Sequence, residues 1–120
     1  MTAKRVICVS FDGAASYTRC AALRQAGYAV TSTTKITEAM DLLERESFDL
    51  AVIGHRFSAE EKRCLARTAK EDGDVPVVLV HGASPDKDIP ADARVYALEG
   101  TEGILKAAEL LLGSHKVRAA

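Results

Sequence analysis

The residues of this chain whose types and placing could do chemistry are Ser10, Phe11, Asp12, Gly54, His55, His81 and Glu99. Each directly follows a short apolar run. Val6-Ile7-Cys8-Val9 precedes Ser10, Phe11 and Asp12, and Leu50-Ala51-Val52-Ile53 precedes Gly54 and His55. Val77-Val78-Leu79-Val80 precedes His81, and Val95-Tyr96-Ala97-Leu98 precedes Glu99. If these runs lie side by side, their ends converge. Two imidazoles and two carboxylates (His55, His81, Asp12, Glu99) form a donor set that suits Zn²⁺ or another transition metal. Against that, they are scattered in sequence and none sits in a ligand-spacing motif. A hydrogen bond from His81 to Glu99 or to water, closing an emptied pocket, is the plainer expectation. Gly54 and Gly82 would open room for a small anion near helix N-termini. The Glu99 carboxylate opposes that, and neither GxGxxG nor GxxxxGK[ST] occurs. Ser10 lacks the strained GxSxG context of a hydrolase nucleophile. With no nucleophile–base pair discernible, no enzyme and no cofactor are expected.

The elements that must position these residues alternate. The first apolar run has no polar interruption, as in a strand buried on both faces. Residues near Ala14 to Ala26 read as a helix closed by Gly27 in a left-handed cap. Ala29-Val30-Thr31-Ser32 is half polar and suits a sheet edge. Ile36, Ala39, Met40 and Leu43 recur at helical spacing opposite Glu38, Asp41, Glu44 and Arg45, which predicts an amphipathic helix. Ser58 followed by Glu61 is a capping box opening a third helix that stops near Gly73. Ile104, Ala107, Ala108 and Leu111 give the last helix its buried stripe, and Gly113 closes it. Strands and helices in strict alternation predict right-handed parallel βαβ units. The expected fold is α/β, a flavodoxin-like doubly wound parallel sheet of five strands in the order 2-1-3-4-5. In that architecture the strand ends form the ligand crevice.

Composition narrows the function classes. The chain has 120 residues, enough for one domain with a real core, and is 48% hydrophobic and 28% charged. The 16 basic and 17 acidic residues leave a net charge of -1, which argues against nucleic-acid or anionic-membrane partners. No apolar run approaches the ~20 residues of a membrane span. The N-terminus lacks the apolar segment of a signal peptide, so a cytoplasmic protein is expected. Cys8, Cys20 and Cys64 are odd in number, without CxxC, and read as small buried hydrophobes. The expectation is a single domain over 1–120, with 114–120 a flexible tail or the start of a linker.

Several segments resemble those of a response-regulator receiver (CheY-like) domain, over nearly the whole chain. Ala26-Gly27-Tyr28-Ala29-Val30 resembles the family's passage from helix one to strand two. Glu38-Ala39-Met40 resembles the helix-two signature, Asp49-Leu50 the opening of strand three, and Val75-Pro76-Val77-Val78 strand four. Val95-Tyr96 resembles strand five, with Tyr96 where the family often carries an aromatic conformational reporter. The resemblance implies an Asp ending strand three that takes a phosphoryl group, and two acidic residues ending strand one that hold Mg²⁺. It also implies a hydroxyl residue ending strand four and a Lys–Pro pair ending strand five. This chain has Gly54 for the acceptor, Ser10 and Phe11 (with Asp12 following) for the acidic pair, His81 for the hydroxyl, and Glu99-Gly100 for Lys–Pro. Phosphoryl transfer depends on positioning and on cations that neutralise charge. Gly54 offers no nucleophile, Glu99 repels a phosphoryl group, and Phe11 cannot ligate Mg²⁺.

The resemblance also implies a fourth helix after His81. Residues 82–94 carry Pro85 and Pro90 and one strong hydrophobe, Ile89, so that helix is expected to be shortened or missing. The last helix adds Leu105, Leu110 and Leu112 to its core stripe. Two uses suit them: covering sheet left bare by the missing helix, or a contact surface such as a homodimer interface that includes Tyr96. The sequence therefore points to a degenerate, non-phosphorylatable receiver-like module. It would bind another signalling protein in a bacterial two-component-type pathway. The alternative is a ligand- or metal-sensing module using the strand-end pocket.

Overall fold

The structure, a computed structural model, describes residues 3–11, 13–83 and 86–113. Strands β1 (Arg5–Val9), β3 (Leu50–Ile53) and β4 (Val77–His81) are buried almost throughout, because their residues are apolar on both sides of the pleat. The half-polar β2 (Ala29–Thr33) and β5 (Ala93–Tyr96) take the edges. The order is β2-β1-β3-β4-β5 and every neighbouring pair is parallel, with Val6 beside Leu50 and Val52 beside Val78. This is the expected doubly wound, flavodoxin-like sheet.

Alternate residues of each strand feed two cores. On one face Val6, Cys8, Val52, Val78, Val80 and Val95 pack against α1 (Gly13–Gln25) and α4 (Gly100–Leu112). On the other, Ile7, Val9, Ile53, Val77 and Leu79 pack against α2 (Ile36–Arg45) and α3 (Ala59–Gly73). The predicted capping box opens α3: Ser58 Oγ accepts from the Glu61 amide at 3.1 Å, and Glu61 Oε1 accepts from the Ser58 amide at 3.0 Å. That helix ends at Gly73, and Asp74 supplies the left-handed cap at φ 50°.

Among the described residues between β4 and β5 there is no helix. Ile89, 0% exposed, inserts into the α2–α3 core and does the covering that a helix would have done. Its loop is tied to α3 by charge. Lys62 Nζ meets Asp86 Oδ2 at 2.5 Å, Arg63 Nη2 meets Asp88 Oδ2 at 2.5 Å, and Lys70 pairs with Asp92. Asp92 Oδ2 also accepts the Val77 amide at 2.7 Å, where β4 begins. Burial works against charge on Asp92, yet the Lys70 ammonium and the Val77 amide hold its carboxyl below the usual carboxylate value. Arg94, on β5, donates to the Ile89 carbonyl.

Three expectations need correction. The bare sheet left by the missing helix belongs to the α2–α3 face, whereas α4 packs on the opposite one, so the extra leucines of α4 do not cover it. Leu105 and Leu112 are partly buried against their own core, and Leu110 is 81% exposed. β5 ends at Tyr96, and Ala97–Glu99 form a 3₁₀ turn, so Glu99 does not directly follow a strand. Cys8 and Cys20 are buried as expected, but Cys64 lies on the solvent side of α3 and is exposed.

The two ion pairs at the start of α3 should differ sharply in weight. The Lys62 and Asp86 side chains are 6% and 15% exposed, whereas Asp88 is 70% exposed. Lys62→Ala strips the ammonium from a largely buried carboxylate and should cost about 3 kcal/mol. Arg63→Ala should cost less than about 1 kcal/mol. Urea midpoints of the two variants measure the difference, and equal losses would refute the loop-pinning role of Lys62.

Candidate functional site

The carboxyl ends of β1 and β3 meet at two residues with little or no side chain. The Gly54 amide donates to the Val9 carbonyl at 2.8 Å and the Ser10 amide to the Thr33 carbonyl at 3.1 Å, which carries the parallel ladder one residue past the strands. Ser10 and Gly54 are both buried. Above them runs α1, whose second turn delivers Arg19. Arg19 Nη1 donates to Ser10 Oγ at 3.0 Å. A Cβ placed on Gly54 would stand 3.1 Å from that same nitrogen, 3.2 Å from the Val9 carbonyl oxygen and 3.4 Å from Ser10 Cα. The guanidinium therefore lies against the space where any side chain at position 54 would begin.

Arg19 is the residue at this site that sequence reasoning misses. It looks like an ordinary polar residue of a weakly amphipathic helix. The available signal was indirect: a basic residue on the helix following β1, opposite two positions too small to fill the space beneath it.

The other expected residues separate into distinct groups. Phe11, 55% exposed, stacks edge-on against Phe57 with centroids 5.9 Å apart, and the Arg56 guanidinium sits 5.5 Å from the Phe11 centroid. His55 lies beside Gly82, its Cδ2 3.7 Å from where a Cβ would stand there. His81 stacks on Tyr96 at 5.6 Å with planes 25° apart, and its Nδ1 donates to the Gly82 carbonyl at 3.0 Å. Glu99 turns back to accept the Tyr96 amide at 2.9 Å. Its stem lies against α4, where a Cβ on Gly103 would come within 2.9 Å of Glu99 Cβ. It lines a surface groove with Glu102, Gly103 and Lys106. Asp12 falls outside the described residues.

The expected His81–Glu99 hydrogen bond is thus not formed: His81 is engaged with Tyr96 and Gly82, and the 3₁₀ turn directs Glu99 to the backbone. Among the described residues no three His, Cys, Asp or Glu side chains are grouped to hold an ion. Nor, among the described residues, do those at the end of β1 fit a magnesium ion. Mg²⁺ requires hard oxygen ligands. The described residues present an aromatic ring and one hydroxyl that already accepts from a guanidinium, whose charge repels a cation.

No family model matches the chain, and no similar curated protein is found. Solved structures are similar in fold. A response regulator receiver protein from Sinorhizobium medicae superposes with a TM-score of 0.82 at 19% identity, covering 92% of this chain and 94% of the other. A response regulator from Thermotoga maritima gives 0.77 at 21% identity, covering 94% and 100%. The receiver domain of a sensor histidine kinase from Pseudomonas aeruginosa, with a magnesium ion coordinated in its active-site cleft, gives 0.74 at 16% identity, covering 94% and 100%. The chain thus shares the fold of CheY-like response regulator receiver domains, and identities this low carry the fold alone.

The Arg19 contact is open to a direct test. Arg19→Ala removes a charged donor from the buried Ser10 hydroxyl and should cost about 1–3 kcal/mol. Gly54→Ala crowds Arg19 Nη1 and the Val9 carbonyl, so it should cost less once Arg19 is already alanine. A double-mutant cycle read by urea denaturation should give a coupling of at least about 0.5 kcal/mol. Strict additivity would show that the guanidinium does not occupy the space over Gly54.

Proposed function

We propose that this chain is a receiver-fold signalling module that does not take a phosphoryl group. It acts by binding another protein, in a bacterial two-component-type pathway, rather than by catalysis. The observation that carries this reading is the Arg19 guanidinium bonded to Ser10 and lying over Gly54. The place that an acceptor carboxylate would fill holds a permanent internal cation instead. The other replacements act in the same direction. Phe11 joins an aromatic pair, His81 is stacked, and Glu99 is committed to the Tyr96 amide. A protein so built presents one surface to its partner without waiting for a charge to be added.

Incubation with acetyl phosphate and Mg²⁺, followed by intact mass, tests the reading. Neither the native chain nor Gly54→Asp should gain a phosphoryl group, because the new carboxylate would pair with Arg19 and lack a metal site. Robust labelling of the native chain would sink the proposal, and labelling of Gly54→Asp alone would show that its surroundings do not oppose transfer.

The partner surface in this reading includes the exposed hydrophobics at the two ends of α4. Tyr96 is 41% exposed, Leu98 82% and Leu110 81%. Leu105 and Leu112, partly buried, would add less. A second copy of the chain is one candidate occupant. If it binds there, sedimentation should show a dimer that Leu98→Ser and Leu110→Ser together abolish without loss of helicity. A native chain that remains monomeric at high micromolar concentration removes the homodimer.

A further inference from the structure

A cavity of about 430 Å³ opens at the β2 edge of the sheet, between α1 and the turn from β2 into α2. None of Ser10, Arg19 and Gly54 lines it. One wall is a stripe of α1, where Ser16, Tyr17, Cys20 and Arg24 recur at helical spacing. The other wall holds Thr33, at the end of β2, and Glu38, in the first turn of α2. The Ser16 and Thr33 hydroxyls are buried, and the Tyr17 ring stands on the solvent side.

The cavity carries one charge of each sign. Arg24 reaches the edge of β2, where its Nη2 donates to the Val30 carbonyl at 3.1 Å. Glu38 Oε1 accepts from the Thr33 hydroxyl, which itself accepts the Lys35 amide at 3.1 Å. A neutral group of β2 thus holds each charge in place. Among the described residues neither Arg24 nor Glu38 has an ion-pair partner.

We propose that this cavity binds a free amino acid, with Arg24 holding its carboxylate and Glu38 its ammonium. The proposal does not rest on the phosphorylation reading. Two opposite charges lining one cavity, each without a counter-ion, match a zwitterion. The spacing suits a small one. The anchors of the two charges, on Val30 and Thr33, are three residues apart on β2, about 10 Å along the strand. Two charge-assisted hydrogen bonds of about 2.8 Å take up more than half of that. What remains fits a molecule whose own charges are a few ångströms apart, which a longer peptide does not offer. Glu38 repels a phosphate or a nucleotide. The described lining has no large aliphatic side chain, so it suits neither a lipid nor an apolar cofactor. The Tyr17 ring is placed to cover the ligand's carbon stem.

The test screens the full chain against each standard L-α-amino acid by thermal shift and titrates the hits by calorimetry at neutral pH. At least one should bind. Its amide, which lacks the carboxylate, and its N-acetyl form, which lacks the ammonium, should each bind at least about tenfold more weakly, the worth of one charged hydrogen bond. Arg24→Gln should erase the preference for the amino acid over its amide, and Glu38→Gln the preference over its N-acetyl form. Circular dichroism checks that both variants fold. In the native chain, titration with the hit should move the backbone amide resonances of Ser16, Tyr17 and Thr33, a readout that needs no variant. No binding of any amino acid at about 10 mM, above the range of weak small-ligand affinities, would overturn the site. So would shifts confined to Ser10, Arg19 and Gly54, or folded variants that keep both preferences.

Discussion

A parallel sheet must be covered on both faces, and the rest of this structure depends on that requirement. Every strand-to-strand step needs a crossover, and each crossover helps to hide one side. α1 and α4 hide one side and α2 and α3 most of the other. The step from β4 to β5 is the exception, because its described residues form no helix. Ile89 supplies the missing apolar contact. Three α3 cations hold Asp86, Asp88 and Asp92, and Asp92 also bonds the start of β4. A loop cannot satisfy the coverage requirement by area alone, so it does so with one deep anchor and a row of charges. Of these, only the Lys62–Asp86 pair is sheltered enough for its electrostatics to escape solvent screening.

The same frame fixes what the strand ends can do. The carboxyl ends of β1 and β3 are adjacent whatever residues stand there, because the register is set by the core below them. Ser10 and Gly54 leave the space between them unfilled, and an empty buried volume is unfavourable. Arg19 fills it from α1, with its charge directed at a hydroxyl. A carboxylate introduced at position 54 would meet that charge before it met solvent or substrate.

The fold was largely legible in the sequence. Unbroken apolar runs such as Leu50–Ile53, separated by helical stripes such as that of Ile36 to Leu43, leave few topologies open. The Ser58–Glu61 capping box is local and was readable for the same reason. What escaped was contact across distance or a change of local hand. The Lys62–Asp86 and Lys70–Asp92 pairs join residues more than twenty apart, and one sequence carries no signal for such pairing. Val95-Tyr96-Ala97-Leu98 looks like one strand, yet the last two residues enter a 3₁₀ turn that redirects Glu99. Arg19 was hidden because its meaning depends on Ser10 and Gly54, on two other elements. Cys20 was legible as buried.

A switch needs two states and an input that prefers one of them. In a receiver fold the usual input is charge arriving at the end of β3. Here the Arg19 guanidinium lies beside that place, bonded to Ser10. If the chain takes no phosphoryl group, as proposed, a switch in this fold would act on the packing of α1 over β1, because that packing sets the Arg19–Ser10 contact. Cys8 and Cys20 are buried in the core that α1 and α4 cover.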